Sequence, residues 1–193
     1  MDITADHYCQ SGDGYIDMEK YELAEQSYRD ALQVDPCHSE AAGGVLCALI
    51  EQNLQDDVFE KKTLSFIRRI DRSQYAHSKF LYYCGYVLQQ CEQYSEALSA
   101  FSLLAVMPEY SDFDQCPDAG YFHGICFLEL GDDYPLGRVA AYDEAEKCFK
   151  KALDVKQRIG TYDVLIHCFQ ASDRDCKVNH PVSYTHLTLP TKA

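Results

Sequence analysis

The stretch from Lys20 to Pro36, KYELAEQSYRDALQVDP, leaves few folds open to this chain. Ala24, Tyr28, Ala31 and Leu32 recur at the spacing that puts side chains on one face of a helix, and Pro36 stops the run. Twelve positions before Ala24 stands Gly12, inside a second helical pattern made by Tyr8, Ser11, Gly12 and Tyr15. The same interval separates Gly85 from Ala97. There Leu81, Cys84, Gly85 and Leu88 line a first helix, and Ala97, Phe101 and Leu104 line a second that precedes Pro108. A small residue on each helix lets two backbones approach closely. The spacing therefore predicts a helical hairpin, and one that recurs.

A further copy begins with Tyr121, Gly124, Ile125, Phe127 and Leu128 and continues with Ala145, Phe149, Ala152 and Leu153. Here Gly124 and Ala145 are twenty-one positions apart, and the excess, Gly131 to Ala141, contains the Gly and Pro residues of a loop. Such insertions in repeat proteins project from one face. Between the clear copies, residues 39–71 hold two helical patterns without the signature. The first has Val45, Leu46, Leu49 and Ile50; the second has Phe59, Leu64, Phe66, Ile67 and Ile70.

This set resembles the tetratricopeptide repeat, whose pattern W-x2-L-G-x2-Y, A-x3-F and P spans about 34 residues. The first unit fits it at Gly12, Tyr15, Ala24 and Pro36, with Tyr8 and Tyr28 in the Trp and Phe places and Ser11 in the Leu place. The resemblance implies an all-α fold, a right-handed solenoid of stacked helix pairs. The units expected are about 5–36, 39–71, 77–108 and 118–156, with a partial one at 158–172 whose unpaired helix carries Tyr162, Leu165, Ile166 and Phe169. It also implies that first helices line a concave groove. Tyr82, Tyr83 and Tyr86 of the third unit and Tyr121, Phe122 and Ile125 of the fourth then become candidate contacts for a peptide or helix of a partner. In the first unit that face carries Asp6, Cys9, Asp13 and Asp17, which suits a basic ligand. Relatives that grip acidic chaperone tails use Lys, Asn and Arg there, whereas this chain has Cys9, Asp13 and Tyr83, and only Lys79 has the right sign.

The totals agree with an acidic binding surface. Seventeen basic against thirty-one acidic residues give a net charge of −14, which repels a phosphate backbone and argues against nucleic acid. No apolar run approaches the roughly 18 residues of a membrane helix, and MDITADHY has no signal-peptide pattern, so a cytoplasmic setting is expected. Ten cysteines are scattered without a CxxC pair, as reduced and mostly buried thiols would be.

Chemistry has little to stand on. There is no phosphate loop, HExxH or GxSxG. His167 and Cys168 are adjacent on a helical pattern, so they diverge by about 100°. Cys176 and His180 form a lone CxxxH, half of any zinc site. No enzymatic activity, cofactor or metal is expected. Cys84, Cys126 and Cys148 fall in core patterns.

The last residues, 182–193, VSYTHLTLPTKA, break the composition: no acidic residue, three Thr, and no helical period. They resemble the in-frame translation of a transposon-end sequencing adapter, which sets them outside the fold and implies a native chain continuing beyond about Pro181. The function expected is a protein-interaction scaffold with an acidic, tyrosine-lined groove. The alternatives are the N-terminal scaffold of a larger enzyme or regulator, and a chaperone for a secreted substrate.

Overall fold

A computed structural model describes residues 4–54, 56–70, 77–107, 118–155 and 161. The expected fifth helix near Ile159 to Ala171, the His167–Cys168 and Cys176–His180 pairs and the terminal stretch lie outside the described residues, Thr161 excepted. Among the described residues there are eight α-helices and no strand. They are α1 (Ala5–Asp17), α2 (Tyr21–Val34), α3 (Ser39–Glu51), α4 (Asp56–Arg69), α5 (Ser78–Gln90), α6 (Tyr94–Ala105), α7 (Ala119–Leu130) and α8 (Arg138–Val155).

One packing device is used three times. Ala24, Ala97 and Ala145 are each fully buried, and the aromatic ring four residues later lies on a glycine of the partner helix. A Cβ added to Gly12 would lie 2.7 Å from the ring of Tyr28, one on Gly85 2.8 Å from Phe101, and one on Gly124 2.7 Å from Phe149. Each ring fills the space that a missing side chain leaves, and burying it contributes about 1.5–3 kcal/mol. This gives the close pairs α1/α2, α5/α6 and α7/α8. The chain is an all-α helical repeat stack of tetratricopeptide type, because successive pairs also pack on one another: α2 on α3, α3 on α5, and α6 on α7.

The turns inside the hairpins repeat as well. Glu19 (φ 57°) and Glu92 (φ 57°) each take the left-handed conformation that closes a helix C-terminus. In each turn the next amide reaches back to the preceding helix: Lys20 N donates to Tyr15 O at 2.8 Å, and Gln93 N to Leu88 O at 2.8 Å. Asn53 (φ 48°) also takes the left-handed conformation, between α3 and α4. The turn between α7 and α8 differs. It opens with a one-turn 3-10 helix at Gly131–Asp133 and ends at Gly137 (φ 84°), where α8 begins. The extra sequence is thus only partly loop: Arg138 to Ala141 belong to an 18-residue helix.

The second pair departs from the others. Helix α3 is apolar around nearly its whole circumference, and Ala41 to Leu46, Ala48 and Leu49 are all buried. Its side toward α5 is glycine: a Cβ on Gly43 would meet the Phe80 nitrogen at 3.1 Å. Helix α3 therefore lies directly on α5. Helix α4 is held from outside, with Arg29 of α2 over the Phe66 ring at 5.2 Å from its centre. Arg29 also donates to Glu25 at 2.7 Å, and Gln52 donates to the other Glu25 oxygen at 2.7 Å. Burial alone would raise the Glu25 pKa, but these hydrogen bonds and the Arg29 charge outweigh it and lower it.

Candidate functional site

The four odd-numbered helices touch in succession, α1 on α3, α3 on α5 and α5 on α7. Their charge is one-sided. They carry Asp6, Asp13, Asp17, Glu40, Glu51 and Glu129, and Lys79 is the one Lys or Arg among them. Every other Lys and Arg of the eight helices is on α2, α4 or α8.

At the α1–α3 end the side chains are tied together. His38 caps α3, its Nδ1 accepting from the Ala41 amide at 3.2 Å. The same imidazole places Nε2 3.0 Å from Asp6 Oδ1 and Nδ1 3.7 Å from Cys9 Sγ. The order Cys, His, Asp looks like that of a thiol nucleophile, but the environment works against it. Burial, then Glu40, Asp13 and Asp6, push the Cys9 thiol up to about 11, and Cys9 is only 3% exposed. It is a thiol held as packing.

Asp13 is the centre of the next cluster. Tyr28 donates its hydroxyl to Asp13 Oδ1 at 2.6 Å, and Lys79 Nζ stands 3.7 Å from the same oxygen. Lys79 belongs to α5 and Asp13 to α1, so this contact crosses α3. It crosses at Gly43, where an added Cβ would lie 3.3 Å from Lys79 Cγ.

At the α5–α7 end the candidate aromatic residues form a pair and a row of three. Tyr82 and Tyr83 meet edge to face at 5.2 Å, Tyr86 meets Phe122 at 4.9 Å, and Phe122 meets Tyr121 at 5.5 Å. These five rings and Ile125 are half-buried. Some of that burial is internal. Tyr121 also lies 5.9 Å from Phe149, and Ile125 packs beside it. Tyr86 further lines a cavity of about 240 Å³ with Ile50, Leu54, Phe59 and Cys91.

Residues 5–37, which hold α1, α2 and the turn between them, match the family model of the tetratricopeptide repeat. That hairpin is a tetratricopeptide repeat. No curated protein matches it. Within the repeat frame, the ring-on-glycine contacts are the signature positions seen from inside. His38 and Gly43 were not singled out from sequence, and neither stands at a signature position. The paired glycines in the middle of the apolar helix α3 were the available sign that another backbone comes close.

Among the described residues, no three His, Cys, Asp or Glu side chains are grouped as metal ligands, and no helix is long and apolar enough to cross a membrane. Tetratricopeptide repeats are typically non-enzymatic scaffolds that bind protein partners.

Proposed function

We propose that this chain is an interaction scaffold that receives a peptide or helix of a partner protein on the face of α1, α3, α5 and α7. Tyr82, Tyr83, Tyr86, Tyr121, Phe122 and Ile125 are its contact residues. The observation that carries this reading is the edge-to-face row joining Tyr86, Phe122 and Tyr121 across two repeats. Rings held by one another lose little freedom on binding and offer large apolar area with polar tips. The six carboxylates on the same helices favour a basic partner and disfavour an acidic one.

The test is selection of binders from a displayed random-peptide library on the purified chain, followed by titration of the enriched peptides against variants. Tyr86→Ala and Phe122→Ala are expected to weaken binding about tenfold each, the loss typical of a central aromatic contact. Enriched peptides that bind both variants as they bind the wild type would place the contact surface elsewhere.

A further inference from the structure

The side chain of Lys79, the one Lys or Arg of α1, α3, α5 and α7, is in an unusual place. It runs over α3 through the gap left by Gly43 and ends 3.7 Å from Asp13 Oδ1, with 26% of its side chain exposed. Asp13 is itself fixed from behind by the Tyr28 hydroxyl at 2.6 Å and keeps 48% of its side chain exposed. A carboxylate oriented by a buried phenol and open to solvent is a receiver for an ammonium or guanidinium group, and the chain supplies one of its own. Asp6 and Glu40 add negative charge around the same point, as their effect on Cys9 shows. The helix that carries Lys79 also carries the Tyr82–Tyr83 pair and Tyr86, where the row with Phe122 begins.

We infer that Asp13 forms a subsite for a Lys or Arg side chain of the partner, that Lys79 occupies this subsite as an internal competitor, and that the partner segment is basic at this end and apolar or aromatic where it lies on Tyr82, Tyr86 and Phe122. The inference rests on the reading that this face binds a peptide, and adds the partner's chemistry and the residue that gates it. The incoming cation takes the place of Lys79 on Asp13, and Lys79 swings into water, where an ammonium group is well hydrated. Gly43 permits this because no side chain walls the passage. Selectivity follows: a neutral apolar segment meets the aromatic row with Lys79 left in place, whereas an acidic segment meets carboxylates along its length.

The experiment uses three fluorescein-labelled peptides titrated against the full chain by anisotropy: one with an Arg-Lys-Arg half followed by a Leu-Phe-Leu half, one with Glu replacing each Arg and Lys, and one with Gln replacing them. The basic peptide is expected to bind tightest. Lys79→Met should tighten it by about two- to fivefold, the range set by a partly exposed ion pair, while leaving the Gln peptide unchanged. Asp13→Asn keeps an acceptor for Tyr28 and should weaken the basic peptide. In the Asp13→Asn background Lys79→Met should give little further gain, because the two residues act as one unit. Lys79→Arg retains the internal contact and should bind like the wild type. An equal gain from Lys79→Met in both backgrounds would show mere long-range repulsion and overturn the inference, as would a preference for the Glu or Gln peptide. If none of the three peptides binds, the reading of the face as a peptide site falls as well.

Discussion

The ring of Tyr28 lies between two helices that both present glycine to it, Gly12 of its own repeat and Gly44 of the next. A Cβ on Gly44 would stand 2.5 Å from the ring, and one on Gly12 2.7 Å. The ring has no room to yield, being 1% exposed and anchored at its hydroxyl by Asp13. Gly44→Ala and Gly12→Ala are therefore expected to lower stability by about 1–3 kcal/mol each, the usual cost of overpacking. Gly14 is the control, since nothing lies within 4 Å of its added Cβ. It sits inside α1, so Gly14→Ala should raise stability by about 0.5–1 kcal/mol. Urea midpoints of the three variants check this; a Gly44→Ala protein as stable as the wild type would mean that Tyr28 does not bridge the two repeats.

Tyr28→Phe separates the ring from its hydroxyl. The ring still fills the glycine gap, but the 2.6 Å hydrogen bond to Asp13 is lost. Asp13 keeps access to water and to Lys79, so no buried charge is stranded. The expected loss is about 1 kcal/mol, against about 3–5 for Tyr28→Ala, which empties the site. Equal losses from the two substitutions, by the same urea titration, would show that the hydroxyl and not the ring is the main support.

The repeat signature was legible because its physics is local to one hairpin. Gly12 with Ala24 and Tyr28, Gly85 with Ala97 and Phe101, and Gly124 with Ala145 and Phe149 each join two helices close in sequence, and spacing alone announces them. Residues 39–71 were harder for the opposite reason. Gly44 receives a ring from the preceding repeat, and Gly43 receives the backbone of α5, so both are explained by neighbours that spacing within the unit does not name. The candidate aromatic residues were found because Tyr and Phe are conspicuous. The Asp13–Lys79 contact was not, since it joins residues two repeats apart and depends on a glycine between them. The start of α8 at Arg138 was read as loop because Gly131, Pro135 and Gly137 mask the helix that follows.

Thiol reactivity should follow burial. Cys37 is exposed in the turn after α2, whereas Cys9, Cys84 and Cys126 are buried. Burial, with neighbouring carboxylates at Cys9, pushes that thiol up to about 11 and, with Cys148, Cys126 up to about 12. Both are protonated and shielded at neutral pH, and a thiol is a poor nucleophile. Among the cysteines of the described residues, Cys37 is expected to be alkylated first in native protein treated with iodoacetamide, with Cys9 and Cys126 reacting only after urea is added. Peptide mass mapping reads the order. Early alkylation of Cys9 would show that the Cys9–His38–Asp6 group is activated and would reopen a catalytic reading.

The buried His123 gives stability a pH dependence of known sign. Burial pushes its pKa from 6.5 down to about 4, with Glu144 opposing and Lys151 adding to the shift. The ring stacks on Phe127 at 5.1 Å, lies 5.9 Å from Phe101 and places Nε2 3.4 Å from Ser102 Oγ. The unfolded chain thus takes up this proton before the folded one does. The contribution is whole above the ordinary pKa, is lost as pH falls from about 6.5 through about 4, and is on the order of 3 kcal/mol. Glu25, lowered by its partners, adds a loss of the same sign at still lower pH. His123→Phe keeps an apolar ring and removes the titration. Its urea midpoint should therefore fall less than that of the wild type between about pH 7 and about pH 4.5. Parallel declines of the two proteins would show that His123 takes up its proton in the folded repeat as readily as in the unfolded chain.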